Sequence, residues 1–252
     1  MTAKLAATVM IFREVEGTPQ ILMMKRSRQV GFFPSAWVFP GGRVDQADHD
    51  FPFEGEVSGL NEKAFAVAAI RETFEEAGLW LGKGIPHPDL RDQLNQRSLS
   101  LPMDGSLVAD LSRVRQWSWW ITPDTEPKRY DTRFFVCCLA EDEASLATPD
   151  QSETTEARWF SLAEALDLHH QGNLFMAPPT YLTLLDLAKW TSMQEIWEQA
   201  QNREVQAIQP IHDRSVSPME IGFPGHPKHP SSEKMLDCIG VRLENQRWVL
   251  LE

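Results

Sequence analysis

Cysteine is scarce in this chain of 252 residues: Cys137, Cys138 and Cys238 are all there is. An odd count with an adjacent pair makes a poor disulfide framework, so a reducing, cytoplasmic setting is the simplest expectation. Neighbours in a strand face opposite sides, and Cys137 and Cys138 read as small hydrophobes of a core or its edge. The seven histidines are scattered, and none has zinc spacing with a cysteine. His169 and His170, at an expected helix end, read as partners for the last carbonyls or the helix dipole. Positive charge is scarce too, with 24 Lys and Arg against 36 Asp and Glu and a net charge of −12. A nucleic-acid backbone needs clustered cations, so nucleic acid is excluded as the main partner. A small anion is not excluded where a metal or local positive charge receives it. No stretch approaches the ~20 apolar residues of a membrane span, and no cleavable leader follows Met1, so no membrane association is expected. No internal repeat or low-complexity tract is visible.

What is present is ordinary for a soluble globular protein: 42% hydrophobic and 24% charged residues, in a chain long enough for one large domain or one domain with additions. Leu5 to Arg13 and Ile21 to Lys25 read as a hairpin around the turn Glu16-Gly17-Thr18-Pro19. Trp37-Val38-Phe39-Pro40 leads into Gly41-Gly42, a pair that lets backbone come close to something. Residues 43–60 read as an ordered acidic loop. From Asn61 to Leu81 the pattern turns helical, with Phe65, Ala68, Ala69, Phe74 and Ala77 on an inner face and Gly78 at the stop. Residues 88–116 read as one or two short helices. Strands are expected over Trp117 to Thr122, Arg133 to Leu139 and Glu156 to Phe160. A helix follows from Ser161, which forms a capping box with Glu164. Residues 178–201 read as mainly helical, and the tail carries strand-like pieces at Val205 to Ile211 and Trp248 to Leu251. The pattern is that of an α/β protein with helices packed on a sheet. Trp117, Trp119 and Trp120 cluster in one strand and read mainly as core, with an aromatic base platform as the other reading.

The chemistry points to one helix. Glu72, Glu75 and Glu76 lie at i, i+3 and i+4, which places three carboxylates on one face. They repel one another by a few tenths of a kcal/mol per exposed pair. They also crowd the C-terminal end of the helix, where the macrodipole disfavours anions. Such a cluster has two readings: a solvated acidic helix face, or a site for divalent cations, because Mg²⁺ takes carboxylate and water oxygens and keeps room for phosphate oxygens. Arg71 can pair with Glu75 one turn on.

The segment Arg71-Glu72-Thr73-Phe74-Glu75-Glu76-Ala77-Gly78-Leu79, behind the lead-in Phe39-Pro40-Gly41-Gly42, resembles the signature of the Nudix hydrolase family. That signature runs Gly, five residues, Glu, seven residues, then Arg-Glu-aliphatic-x-Glu-Glu-x-Gly-aliphatic. Thr73 is a mild departure. The spacing departs more: Arg71 lies 29 positions after Gly42, roughly 15 more than the signature allows, and Lys63 stands where its first Glu is expected, with Glu62 one residue off register. The inserted-loop subgroup that resembles the peroxisomal coenzyme A diphosphatases (Nudix motif 19 type) and their bacterial relatives shares this spacing. The matching pieces include Leu22 to Ser27, Gly31-Phe32-Phe33-Pro34, Trp120-Ile121-Thr122-Pro123, Tyr130 to Phe135 and Ala177-Pro178-Pro179-Thr180, spanning about residues 5–185.

The resemblance implies an α/β/α sandwich with a mixed sheet, inserted loops and a C-terminal extension. Residues 1–200 would form the Nudix domain, and 201–252 an extension packed on it. It implies hydrolysis of the diphosphate linkage of a nucleoside diphosphate derivative, with coenzyme A or acyl-CoA as the subgroup's substrate. Glu72, Glu75 and Glu76 would bind Mg²⁺ or Mn²⁺, and one carboxylate would activate the water. Arg71 and Glu153, on an acidic loop with Glu156, complete the catalytic set. Arg26, Gly41, Gly42 and Arg133 are the expected substrate contacts. For Lys25 and Arg28 a phosphate contact and simple solubility are both open. Arg133 has two readings, a phosphate contact or a salt bridge to Asp131 or Glu141. The peroxisomal relatives end in a targeting tripeptide, whereas this chain ends Leu250-Leu251-Glu252. Oligomeric state is open, and a homodimer is compatible with the resemblance. The rival reading is a catalytically inactive Nudix-fold module that binds a nucleotide without cutting it.

Overall fold

The computed structural model of the protein describes residues 2–27, 34–57, 62–96, 100–150, 154–213 and 215–252. Lys4–Val15 (β1) and Thr18–Arg26 (β2) form the expected hairpin. Its two turn residues, Glu16 and Gly17, both have positive φ, the pair that a tight primed turn demands. Two short strands follow. Trp37–Val38 (β3) pairs with β2, and Gly41–Arg43 (β4) pairs antiparallel with β1.

The segment between Gly42 and Arg71 is more than a loop. It contains a 3₁₀ turn over Gln46–His49 and the short strand Phe53–Glu54 (β5), then enters the helix Ala64–Ala77 (α1). Gly82–Lys83 (β6), the helix Leu90–Asn95 (α2) and Val108–Asp110 (β7) come next. β5, β7 and β6 pair into a small three-stranded sheet. Where one or two short helices were expected over 88–116, the structure has one helix, one strand and a 3₁₀ turn over Leu111–Arg113. β7 is three residues long, too short for a period-2 pattern to show.

Arg115–Ile121 (β8) and Tyr130–Cys138 (β9) are longer than expected, and the short helix Glu141–Ala144 (α3) precedes Thr154–Ser161 (β10). Helices Leu162–His170 (α4), Pro178–Leu187 (α5) and Met193–Asn202 (α6) follow. The tail adds Ala207–Ile208 (β11), Ile211–Asp213 (β12), Glu220–Gly222 (β13), Gly240–Glu244 (β14) and Arg247–Leu251 (β15). The strand expected over Val205 to Ile211 is thus split between two sheets, and neither β13 nor β14 was expected.

The main sheet runs β10-β2-β1-β9-β8-β11 and is mixed: β1 with β9 and β8 with β11 are parallel, the rest antiparallel. Both faces are covered, so consecutive residues Val9, Met10, Ile11 and Phe12 are all fully buried. Val9 and Ile11 pack with α1 and the inserted segments. Met10 and Phe12 pack with α4, α5, α6 and the tail. This is the expected α/β sandwich.

The tail is anchored by specific contacts. His169 Nδ1 stands 2.9 Å from Leu174 O, and the Trp248 N–H donates to His169 Nε2 at 3.0 Å. His169 therefore reaches across to β15 rather than capping its own helix. Trp248 Nε1–H donates to Met176 O, and its ring is buried. The capping box expected at α4 is half formed: Ser161 accepts from the Glu164 N–H, while the Glu164 carboxylate pairs with Arg158. A complete box is formed by Ser192 with Glu195 at α6. No helix among the described residues is long and apolar enough to cross a membrane.

Candidate active site

α1 is buried on nearly every side, so the polar groups in its second half must find partners. It ends at Gly78, whose φ of 73° lies in the left-handed region that glycine adopts without strain. Its last carbonyls are met by a cation. Arg91 of α2 donates from Nε to Glu75 O at 2.9 Å and from Nη2 to Glu76 O at 2.7 Å, and Asn95 adds a bond to Glu75 O. A guanidinium at the negative end of the dipole offsets part of the penalty on carboxylates placed there.

Arg71 organises the carboxylates. Its five N–H groups make five hydrogen bonds. Nε and Nη2 donate to the two oxygens of Asp48 at 2.8 and 2.9 Å, Nη2 also to Arg43 O at 2.8 Å, and Nη1 to Glu72 Oε1 and Glu75 Oε1, both at 2.9 Å. Arg71 and Asp48 are both buried. Burial alone would lower the pKa of Arg71, but the hydrogen bond with Asp48 and the surrounding negative charges outweigh it and hold the guanidinium firmly charged.

Glu72 and Glu75 show the opposite strain. Burial pushes Glu72 up to about 7 against the pull of Arg71, and Glu75 adds repulsion. Burial raises Glu75 as well. Glu76, buried on the same helix, accepts from the Gly41 N–H at 2.9 Å.

The glycine pair is required by these approaches. A Cβ on Gly41 would stand 2.4 Å from Ala7 O and 2.6 Å from Thr8 Cα. A Cβ on Gly42 would stand 2.3–2.6 Å from the carboxylate atoms of Glu72. The turn is fixed to β1 by the Thr8 hydroxyl, which donates to Pro40 O at 2.6 Å, and by the Val9 N–H to the same oxygen.

Arg71, Asp48, the three glutamates, Gly41 and Gly42 line one cavity of about 970 Å³. Its wall carries six carboxylates (Asp45, Asp48, Glu72, Glu75, Glu76, Asp150) against three guanidiniums (Arg26, Arg43, Arg71). Ala177 and Thr180 at the start of α5 close its far side. Among the described residues no three acids, histidines or cysteines stand ready as a closed metal cage. Arg71 draws Glu72 and Glu75 to itself, and the Gly41 N–H draws Glu76. The donor chemistry nonetheless suits a hard divalent cation: oxygens only, in excess negative charge, with one carboxyl held near neutrality by burial.

The structure thus brings together Glu72, Glu75, Glu76, Arg71, Gly41, Gly42 and Arg26. Arg26 lines the cavity, and its Nε is buried with no hydrogen-bond partner among the described residues. Arg133 is elsewhere. It pairs with Asp131 and lies 3.5 Å over the Trp119 ring and 4.5 Å over Phe65, on the other face of β9 from the cavity-lining Thr132 and Phe134. Of its two readings the structure has the salt bridge to Asp131. Lys25 pairs with Glu156 at 3.7 Å. Arg28 and Glu153 lie outside the described residues. The carboxylate described on the loop ahead of β10 is Asp150, which accepts from the Thr154 N–H at 2.9 Å.

Two residues escaped the sequence reading. One is Asp150. The other is Asp48, which sits in the insertion and meets Arg71 across 23 positions. Glu62, beside the Lys63 position, faces His49 at 3.5 Å and is not among the residues that line the cavity.

The sequence matches the model of one protein family, described as the NUDT19 Nudix domain, over residues 54–187. It is 28% identical to the acyl-coenzyme A diphosphatase NUDT19 of Gallus gallus and 26% identical to that of Homo sapiens. Each alignment covers 75% of this chain and 66% of the relative, so the chain spans just under two thirds of the length of these curated relatives. Among solved structures it is similar to a NUDIX hydrolase from Alicyclobacillus acidocaldarius. That match has a TM-score of 0.66 and 25% identity, over 81% of this chain and 99% of that one.

Proposed function

The chain belongs to the Nudix hydrolase family, in the branch of the NUDT19 Nudix domain, and from that premise we propose that it hydrolyses the diphosphate linkage of coenzyme A or an acyl-CoA, with Mg²⁺ or Mn²⁺. The observation that carries the reading is the composition of one cavity wall. Glu72, Glu75 and Glu76 of α1 line the same space as the guanidinium-bearing Arg26. A diphosphate could not enter a wall with six carboxylates and three guanidiniums unless cations came with it. The excess of acids therefore supports metal dependence and an anionic substrate together.

Glu72, Glu75 and Glu76 are the residues that would hold the ion. When bound, it supplies charge neutralisation at the phosphates and lowers the pKa of a water. Every other part of the work falls to the chain itself. Arg71, pinned by Asp48, fixes where Glu72 and Glu75 can point. The Gly41 N–H orients Glu76, and the missing Cβ of Gly42 leaves room for the Glu72 carboxylate against the turn. Arg26, on the same wall, offers its guanidinium to a phosphate oxygen, a charge-assisted bond of the kind arginine makes best. The carboxylate that takes the proton from the attacking water belongs to the α1 set or to the loop of Asp150 and Glu153.

The test is turnover of coenzyme A, acetyl-CoA, NADH, ADP-ribose and a diadenosine polyphosphate, each with Mg²⁺ and with EDTA. The account expects metal-dependent release of 3′,5′-ADP and a phosphopantetheine from the coenzyme A compounds, at a kcat/KM well above the others. Turnover of NADH or ADP-ribose alone would move the substrate. Ion binding without turnover of any compound would favour a nucleotide-binding module.

A further inference from the structure

Helix α5 begins at the edge of the large cavity, since Ala177 and Thr180 both line it. Ala177 stands at the cap position and has no side-chain oxygen to offer the first-turn N–H groups. Pro178 and Pro179 follow and carry no N–H, and the Tyr181 N–H donates back to Ala177 O at 3.0 Å. Among the described residues, Thr180 therefore holds the one free backbone donor of this turn, at the positive end of the helix dipole. Its side chain repeats the pattern. Thr180 is 6% exposed, yet its hydroxyl has no hydrogen-bond partner among the described residues and is not one of the atoms sealed from the surface. On a side chain so buried, the remaining access is to the cavity that Thr180 lines.

The charges around the cavity are segregated. Every carboxylate on its wall comes from the insertion, α1 or the loop ahead of β10, and β1, β2, β9 and α5 contribute none. Arg26, the cation on that acid-free side, is tied to the start of α5 through β3. The Arg26 backbone N–H donates to Ala36 O at 2.9 Å, and the Trp37 N–H donates to Phe175 O at 2.8 Å. An anion with no metal ion to neutralise it meets repulsion along the acidic walls. Here it meets two donors of Thr180, a helix N-terminus and a guanidinium.

We propose that Thr180 and the N-terminus of α5 form the subsite for a phosphomonoester of the substrate, apart from the diphosphate that the metal receives. The source of that group rests on the reading that coenzyme A is the substrate, in which case it is the ribose 3′-phosphate. The Thr180 O–H and N–H donate to its oxygens, and Arg26 supplies countercharge.

The test uses the full chain, ¹⁵N-labelled at threonine and kept metal-free in EDTA. The Thr180 amide signal, assigned by its loss in Thr180→Ser, is followed by NMR during titration with adenosine 3′-monophosphate, with adenosine and inorganic phosphate as comparison probes. A saturable shift with the nucleotide, none with adenosine and weaker binding of phosphate are expected. Thr180→Val keeps the shape and loses the hydroxyl. It should weaken nucleotide binding at least about tenfold in calorimetry, whereas Thr180→Ser should stay within about threefold of wild type. In turnover, wild type should prefer coenzyme A over dephospho-coenzyme A by about tenfold or more in kcat/KM. Thr180→Val should bring that ratio toward one, a change that a merely structural role would not make. Because the wild-type titration stands alone, a variant that fails to fold leaves the test intact. An unmoved Thr180 amide, or a shift that needs Mg²⁺, would overturn the subsite even if coenzyme A is hydrolysed. A shift without turnover of coenzyme A would support the subsite and overturn only the substrate reading. Phosphate binding as tight as that of the nucleotide would make this a free-phosphate site and overturn its assignment to the substrate.

Discussion

Replacing Asp48 by Ala probes how the insertion serves the site. In the structure Asp48 is 2% exposed and makes three hydrogen bonds: from Arg71 Nε at 2.8 Å, from Arg71 Nη2 at 2.9 Å and from the Asp45 N–H at 2.7 Å. Removing one partner of a buried ion pair costs about 3–5 kcal/mol. Glu72 and Glu75 still meet Nη1, so the lower end of that range, about 3 kcal/mol, is the expected loss. For a protein of this length each kcal/mol shifts Tm by about 2–4 °C, which gives a fall of roughly 6–12 °C. That is a large share of the roughly 5–15 kcal/mol that holds a domain folded, but it leaves the variant foldable. The freed guanidinium also stops fixing Glu72 and Glu75. A displacement of about 1 Å at such groups can cost as much as 100-fold in rate, so kcat/KM for coenzyme A should drop about 10- to 100-fold. Thermal unfolding and steady-state kinetics measure the two effects. Asp45→Asn is the control: Asp45 is exposed and 3.9 Å from Arg71, Asn keeps a cap oxygen for the turn, and the change should stay within about 0.5 kcal/mol. In a double-variant cycle with Arg71→Met, the coupling with Asp48→Ala should reach at least ~2 kcal/mol. An Asp48→Ala protein with Tm within about 2 °C of wild type and unchanged kcat/KM would refute this reasoning.

Three further outcomes follow from the same geometry. Gly42→Ala pushes a methyl into the space of the Glu72 carboxylate; kcat should fall at least about tenfold, ~1.4 kcal/mol of barrier, with weaker Mg²⁺ binding in a calorimetric titration. Arg91→Met strips the bonds on Glu75 O and Glu76 O and should destabilise by about 2–3 kcal/mol, read in chemical denaturation, with Mg²⁺ affinity lowered in parallel. The pH dependence of the metal-free protein has a definite sign. Burial raises the folded pKa of Glu72 to about 7 from 4.5, so its contribution is full below the unfolded pKa and is lost as pH rises through 7. That contribution is at most roughly 3 kcal/mol. In EDTA, Glu72→Gln should therefore gain on wild type between pH ~5 and ~8, and added Mg²⁺ should stabilise wild type increasingly over the same window. A difference between the two proteins that is flat across that window would count against it.

The parts of the fold with a period were legible. The helix pattern of Phe65, Ala68, Ala69, Phe74 and Ala77 ends in Gly78, and the structure stops α1 there. The β1–β2 hairpin was equally plain, because long strands and a Gly turn carry their own signal. Three-residue strands such as β7 carry none, and their pairing is decided by what lies beside them. Asp48 was invisible for a related reason: no local pattern marks an acid that meets its arginine across a chain reversal. Arg133 drew attention through its flanking aromatics, yet Trp119 and Phe65 are what hold it, together with Asp131. Strand alternation could have warned of this, since Thr132 and Phe134 face the cavity and Arg133 must then face away. The carboxylate triad was readable because helical spacing fixes a face. Its tether to Arg71 and to the Gly41 N–H was only partly so.

The central claim is that the carboxylates of α1 serve metal-dependent cleavage of a diphosphate. Glu76→Gln keeps the shape of the side chain and an oxygen for the Gly41 N–H while removing the charge. ³¹P NMR of coenzyme A with Mg²⁺ should show the diphosphate signal of the substrate replaced by phosphomonoester signals with wild-type protein. With Glu76→Gln the same conversion should be slower by orders of magnitude, at an unchanged melting temperature. Wild-type rates in the variant, or conversion by the wild type in excess EDTA, would contradict the account.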